Sequence, residues 1–268
     1  LLLITTYGGL VIGMKAIPSF SLTVWTLLGG ALAAGGSGAL NQYIDRELDR
    51  RMQRTAKRPM ADGRLTDAEG LAFGLGMSLV SYFILACFVN DLAALLSLAG
   101  IAYYVILYSM WLKKATVQNI VIGGGAGAIP PMVGYAAATG HLDWTAWILF
   151  AIIFMWTPPH FWALAIVRMK DYEHAGVPMM PVVRGEMETR RQIFVYTIEL
   201  VIVTLLLPIL NLAGTFYLVS SLVLGGALLY AAWKVWRTGG NKLAWRMYKW
   251  SSSYLVFIFV AIMIDSVL

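Results

Sequence analysis

Long apolar runs dominate the chain and recur with short polar breaks between them. Nine such segments lie at roughly 1–14, 22–44, 70–89, 92–112, 118–138, 143–168, 192–211, 215–236 and 247–267. A bilayer core of roughly 30 Å takes about 20 helical residues. Lipid offers the backbone no hydrogen-bond partner, so each segment predicts a helix. The pattern therefore predicts an all-α, polytopic membrane protein: nine transmembrane helices in a single domain over 1–268.

Composition agrees, at 59% hydrophobic and only 13% charged residues. A soluble domain of this length has no use for so much apolar surface. The single Cys87 sits in an apolar run, which excludes a disulfide framework and a thiolate metal site. The chain starts "LLLITTYGGL", already inside an apolar segment and without Met; no cleavage signature follows, so a preceding lead segment is expected rather than a signal peptide.

The net charge of +6 reports topology and gives no reason to invoke nucleic acid. Every Lys and Arg except Lys15 falls in an even-numbered connection or at its edges. The positive-inside rule puts those connections in the cytoplasm of a bacterial cell, or in the matrix for a mitochondrial inner-membrane protein. Two of them, at about 41–69 and 169–191, are long enough to carry chemistry.

The first reads "NQYIDRELDRRMQRTAKRP" from residue 41. Asn41, Asp45 and Asp49 are spaced by four. On a continuing helix they share one face, each about 6 Å along the axis from the next. Two carboxylates so close repel unless a cation joins them. Oxygen ligands at that spacing suit Mg2+, which takes one or two carboxylates and completes its shell with water and phosphate. Arg54, Lys57 and Arg58 follow and can bind phosphate oxygens. The competing reading is a solvated helix end with i,i+4 charge pairs.

The second connection, "RMKDYEHAGVPMMPVVRGEMETRRQ", again sets a base and an acid, Lys170 and Asp171, at a helix end. Val177-Pro178 and Met180-Pro181 predict extended backbone, and "RGE" a turn. Two charged half-sites on one side, after the second and sixth helices, look like halves of one pocket and hint at a repeat four helices long. "KKATVQN" adds Lys114 and Asn119 at the same level. In the sixth helix, "FMWTPPHFWALAI" carries Pro158 and Pro159, which break regular hydrogen bonding. It also carries His160, roughly 16 Å deeper than Asp171 at the helical rise. An ionisable group at that depth is a candidate for function, with a neutral His bonded to a neighbouring helix as the alternative. "GGGAGAIPP" at 123–131 reads as close helix packing, with room for a flat ligand as the alternative.

The string "NQYIDRELDRRMQRTAKRP" resembles the first Asp-rich motif of the UbiA superfamily of intramembrane prenyltransferases. "TVQNIVIGGGAGAIPPMVGY", "WTPPHFWALAI" and "KDYEHAGVPMMPVVRG" resemble its haem-farnesylating branch, and the resemblance runs from the first helix to the ninth. It implies a nine-helix UbiA-type bundle open laterally to lipid, farnesyl diphosphate and haem b as substrates, and haem O and diphosphate as products. Asn41, Asp45 and Asp49 match the first metal-diphosphate motif and Asp171 the leading acid of the second. A second acid expected three or four residues further on is replaced by His174 and Ala175. The resemblance thus implies Mg2+ on Asp45, Asp49 and Asp171 with Asn41 assisting. Arg54, Lys57, Arg58, Lys114 and Lys170 would lie on the diphosphate, and His160 and Asn119 on the acceptor side, His160 at the haem iron or at a water. Haem A synthase and terminal-oxidase assembly factors are the partners it implies.

Three rivals remain. A prenyltransferase acting on a quinone precursor or another aromatic or tetrapyrrole acceptor shares the first motif. A transporter for an anionic metabolite also has broken helices, but expects its site at the midplane. A haem-carrying membrane subunit expects paired axial His residues, whereas the chain has only His141, His160 and His174.

Overall fold

The computed structural model describes residues 1–268 apart from the side chain of Lys114. The chain folds as α1 (Leu2–Met14), α2 (Phe20–Arg50), α3 (Asp67–Phe88) and α4 (Asp91–Ala102), which runs into a π-helix (Tyr103–Leu112). A single turn, α5 (Lys113–Ala115), leads to α6 (Asn119–Thr139), α7 (Trp144–Val167) and the short α8 (Met169–His174). Then come α9 (Met180–Ile209), α10 (Thr215–Thr238) and α11 (Asn241–Val267). Among the described residues there is no strand. Among the described residues, eight helical segments are long and apolar enough to cross a membrane: α2, α3, α4 with its π-helix, α6, α7, α9, α10 and α11. The ninth expected segment, α1, is a shorter apolar helix of 13 residues.

Polar side chains start the helices where lipid would leave amides bare. Thr66 and Glu69 form a reciprocal capping box on α3. Asn90 Oδ1 accepts from the Ala93 amide and its Nδ2 donates 2.8 Å to Ala136 O, tying α4 to the end of α6. Asp143 caps α7 through the Thr145 amide at 2.8 Å. Asp265, near the end of α11, accepts from the Tyr217 amide at 3.0 Å and so caps α10 from another helix.

Between helices small residues bring backbones together. A methyl at Gly9 would collide with the Pro131 carbonyl, and one at Gly134 with the Thr6 carbonyl, so α1 and α6 touch along their glycines. Gly36 meets Gly74 and Ser78 in the same way, locking α2 to α3, and Ser81 Oγ donates 2.7 Å across that contact to Gly29 O. The larger apolar core lies among α7, α9, α10 and α11, and a smaller one among α1, α3, α4 and α6.

Several sequence expectations shift. α2 does not stop near 44 but runs through the acidic motif to Arg50. α9 begins at Met180, not near 192, because Pro181 sits in its first turn, where a missing N–H costs nothing. Met180, expected to be extended before Pro181, is helical, and the extended residue there is Met179 (φ −72, ψ 150); the expected turn survives as a kink at Gly185 (φ 81), inside α9. α7 passes through Pro158 and Pro159 without ending. α11 starts at Asn241 rather than 247.

Candidate functional site

At one end of the bundle α2 turns its acidic face inward. Asn41, Asp45 and Asp49 are 5%, 0% and 1% exposed, so the solvated-face reading does not describe them. The i,i+4 spacing lets Asn41 Nδ2 donate 2.8 Å to Asp45 Oδ2, and the same amide donates 2.9 Å to Ser109 Oγ on the π-helix. Lys113 Nζ completes the cluster, 2.5 Å from Asp45 Oδ2. Asp45 Oδ1 is buried and has no partner.

Residues 51–66 fold back as turns over the end of α2. Arg50 Nε donates 3.0 Å to Ala61 O, and Thr55 Oγ1 donates 3.2 Å to Asp49 O. This fold-back brings Arg58 to Asp49, Nη1 to Oδ2 at 2.7 Å. The Gln53 amide donates 3.2 Å to Asp171 Oδ1, so the two long connections meet. Asp171 Oδ2 is buried and unpartnered. Arg64 and Asp62 pair at the outer edge. Although its burial works the other way, the Arg64 hydrogen bonds hold the Asp62 carboxyl below its ordinary range.

Beneath this cluster lies a cavity of about 500 Å³ between α2, α4 with its π-helix, α6 and α7. Asn41, Asp49, Arg54, Arg58 and Lys113 line its charged end. Tyr104, Tyr108 and Tyr172 form a phenolic collar, and small or apolar residues line the rest. Burial pushes the Tyr172 phenol up, with the neighbouring Arg54 charge opposing it.

The sequence-derived candidates separate cleanly. Asn41, Asp49, Arg54 and Arg58 line the cavity; Asp45 stands directly behind Asn41 and Lys113, and Asp171 beside Gln53. Lys57 and Lys170 are exposed and outside the lining. The Lys114 side chain lies outside the described residues. Asn119 is 1% exposed, donates 3.3 Å to Lys113 O and does not line the cavity; its Oδ1 has no partner. His160 stands behind the wall: its ring stacks between Trp156, at 4.2 Å, and Tyr248, at 4.5 Å, and Nδ1 lies 2.8 Å from Ser251 Oγ on α11. Trp156, whose Nε1 donates 2.7 Å to Ser251 O, is the side chain that faces the cavity.

Sequence reasoning passed over Ser109, Lys113, Tyr104, Tyr108 and Tyr172. The small-residue run "GGALAAGGSGAL" immediately before the motif was a signal of the cavity wall on α2, not of these residues. Gly38 and Gly127 face open space, where an added methyl would touch nothing, so the glycine segment of α6 is open cavity wall at Gly127, while Gly124 both lines the cavity and packs against Thr157.

Among the described residues no three His, Cys, Asp or Glu side chains gather as a ready metal cluster. The donor set still fits a Mg2+ that keeps water and phosphate oxygens. Asp45 and Asp171 each hold a buried carboxylate oxygen with no partner, and Asp49 faces the cavity.

The helical bundle thus encloses an apolar cavity whose charged end sets the buried acids Asp45 and Asp49 against the more exposed bases Arg54, Arg58 and Lys113. The chain belongs to the UbiA prenyltransferase family, whose sequence profile matches residues 2–253. It is 51% identical over 267 residues to the protoheme IX farnesyltransferase of Roseiflexus sp. (strain RS-1), covering 100% of this chain and 50% of that protein. It is 49% identical over 268 residues to the protein of the same name from Gloeobacter violaceus (strain ATCC 29082 / PCC 7421), covering 100% of this chain and 88% of that one. The chain thus spans about half the length of the first curated relatives it matches. In fold it matches the UbiA homolog of Aeropyrum pernix K1 in its apo form, with a TM-score of 0.79 at 18% identity, over 98% of this chain and 96% of that one. The UbiA homolog of Archaeoglobus fulgidus bound to GPP and Mg2+ matches with a TM-score of 0.70 at 15% identity, over 97% and 95%.

Proposed function

We propose that this chain transfers the farnesyl group of farnesyl diphosphate to a vinyl group of haem b, giving haem O and diphosphate. The observation that carries the proposal is the buried Asn41–Asp45–Asp49 face at the closed end of an apolar cavity. The shared name of relatives near 50% identity supports the acceptor.

The farnesyl tail lies in the cavity and the diphosphate meets its charged end. Arg54, Arg58 and Lys113 neutralise the leaving group there. Asp45 Oδ1, Asp49 and Asp171 Oδ2, with Asn41, are the residues that would hold Mg2+. Bound there, Mg2+ supplies a Lewis acid for the departing diphosphate. As the allylic C–O bond breaks, the electron pair leaves on diphosphate. The vinyl carbon of haem b then bonds to the farnesyl C1. Water adds to the resulting benzylic-type cation and releases a proton, leaving a hydroxyethylfarnesyl substituent. Dry walls of small and aromatic residues keep water from the first cation. The excess of Lys and Arg supports a cytoplasmic or matrix-facing charged end. Haem A synthase or oxidase assembly factors are the partners this product would serve.

The test is to incubate the purified protein with haem b, farnesyl diphosphate and Mg2+ and to look for haem O by mass. Formation of haem O with stoichiometric diphosphate release supports the proposal. Transfer to 4-hydroxybenzoate and not to haem b would replace the acceptor, and diphosphate release with neither acceptor would remove it.

A further inference from the structure

Given that the cavity takes a prenyl diphosphate, as proposed above, we infer that Gly30 and Thr6 form its floor and limit the chain to three isoprene units. Three helix walls bound its depth, and α2 is the shortest. On α2 the lining runs from Asn41 at the charged end to Gly30, a drop of about 16 Å at the helical rise. α6 runs the other way, its start held to Lys113 O by Asn119, and lines the cavity from Ile120 down to Val133, about 20 Å. The π-helix and α4 descend from Lys113 to Ser97. An isoprene unit adds four carbon–carbon bonds of about 1.5 Å, which project to about 5 Å in an extended chain. Three units span about 15 Å and reach Gly30, where the α2 wall ends; a fourth, reaching about 20 Å, would pass that limit and run against Thr6 beside it.

The floor is closed by buried side chains. Thr6 is 1% exposed and Val133 4%. The Thr6 hydroxyl donates 3.0 Å to Leu2 O, so its polar atom is already used. A methyl added at Gly30 would meet only Thr6, at 3.9 and 4.0 Å. Gly29, its neighbour, is different: a methyl there would run into Leu85 on α3. Gly29 therefore serves packing between helices, while Gly30 keeps the end of the cavity open. A larger side chain at Gly30 shortens the space without touching the charged end, and smaller ones at Thr6 and Val133 lengthen it.

The test measures binding of geranyl, farnesyl and geranylgeranyl diphosphate with Mg2+ by calorimetry, without acceptor, and then transfer to haem b. The proteins are wild type, Gly30→Leu and the double variant Thr6→Ala/Val133→Ala. Wild type should favour farnesyl. Gly30→Leu should move the preference toward geranyl by at least about tenfold, the usual discrimination of a pocket that loses room for a few methylenes. The double variant should move it toward geranylgeranyl. Opposite shifts in the two variants cannot come from damage to the fold. Should Gly30→Leu not fold, Gly30→Ala and the double variant decide between them. An unchanged ranking, or equal weakening for all three ligands, overturns the inference. The expected ranking with no transfer to haem b upholds the floor and removes the acceptor instead.

Discussion

Lys113 Nζ lies 2.5 Å from Asp45 Oδ2, joining the end of the π-helix to the middle of the acidic face of α2. The carboxylate is 0% exposed and the ammonium 15%. Removing Lys113 strands a buried charge, which typically costs about 3–5 kcal/mol. Lys113→Met should therefore lower the thermal midpoint in detergent clearly. Lys113→Met/Asp45→Asn should recover much of that loss, because the stranded charge goes with it. Equal midpoints for the single and double variants would show that the pair does not act as a unit.

Asp49 and Arg58 form the second pair, at 2.7 Å, and both line the cavity. Asp49→Asn keeps the shape and removes the charge. Its turnover should fall by about 10²-fold or more, the usual cost of losing one preorganised electrostatic contact. The midpoint should barely move. Arg58→Ala should weaken binding of inorganic diphosphate, read by calorimetry. Turnover of Asp49→Asn within a few-fold of wild type would remove Asp49 from the reaction.

His160 gives a sharper contrast. Its ring lies between Trp156 and Tyr248 with Nδ1 on Ser251, outside the lining. His160→Gln should cost about 1–2 kcal/mol of stability, as a buried hydrogen bond is remade imperfectly. The absorption spectrum of added haem b should match that with wild-type protein. A changed Soret band on substitution would place the imidazole on the haem iron.

At the opposite end, Asp143 Oδ2 accepts from Tyr135 Oη at 2.6 Å, and Oδ1 caps α7. Partial burial raises the Asp143 carboxyl, but the Tyr135 hydroxyl and the Thr145 and Ala146 amides outweigh it and hold it below the ordinary carboxylate range. A depressed folded value means the contribution is fully present above the unfolded pKa and fades as pH falls through the folded one. Asp143→Ala should cost about 1 kcal/mol at neutral pH. The gap to wild type should close as pH drops below about 4, read by thermal melts across pH.

The helical pattern and the Asn41–Asp45–Asp49 face were readable because apolar runs and i,i+4 spacing are local properties. Residues 45–50 belong to α2 despite their charge because Asp45 and Asp49 are buried against Lys113 and Arg58. The part Lys113 plays had no local signal: each residue turns a helix by about 100°, and the π-helix before Lys113 shifts that phase. His160 shows a related limit. Rise per residue gives its depth, but only packing against α11 fixes the side of α7 on which it stands. The start of α9 was hidden because Pro181 reads as a breaker unless the helix is known to begin beside it.

The π-helix also makes the chain sensitive to counting. Ser109 Oγ donates 2.9 Å to the carbonyl of Tyr104, five residues back, within a coil that holds more residues per turn than an α-helix. Deleting one residue between Tyr103 and Leu112, with the winding of the rest kept, would turn everything after it by roughly a quarter of a turn. Lys113 would swing off Asp45 while every side chain at the charged end kept its identity. A length change in this stretch is thus a different kind of lesion from a substitution: it leaves the parts list intact and puts the machine out of phase.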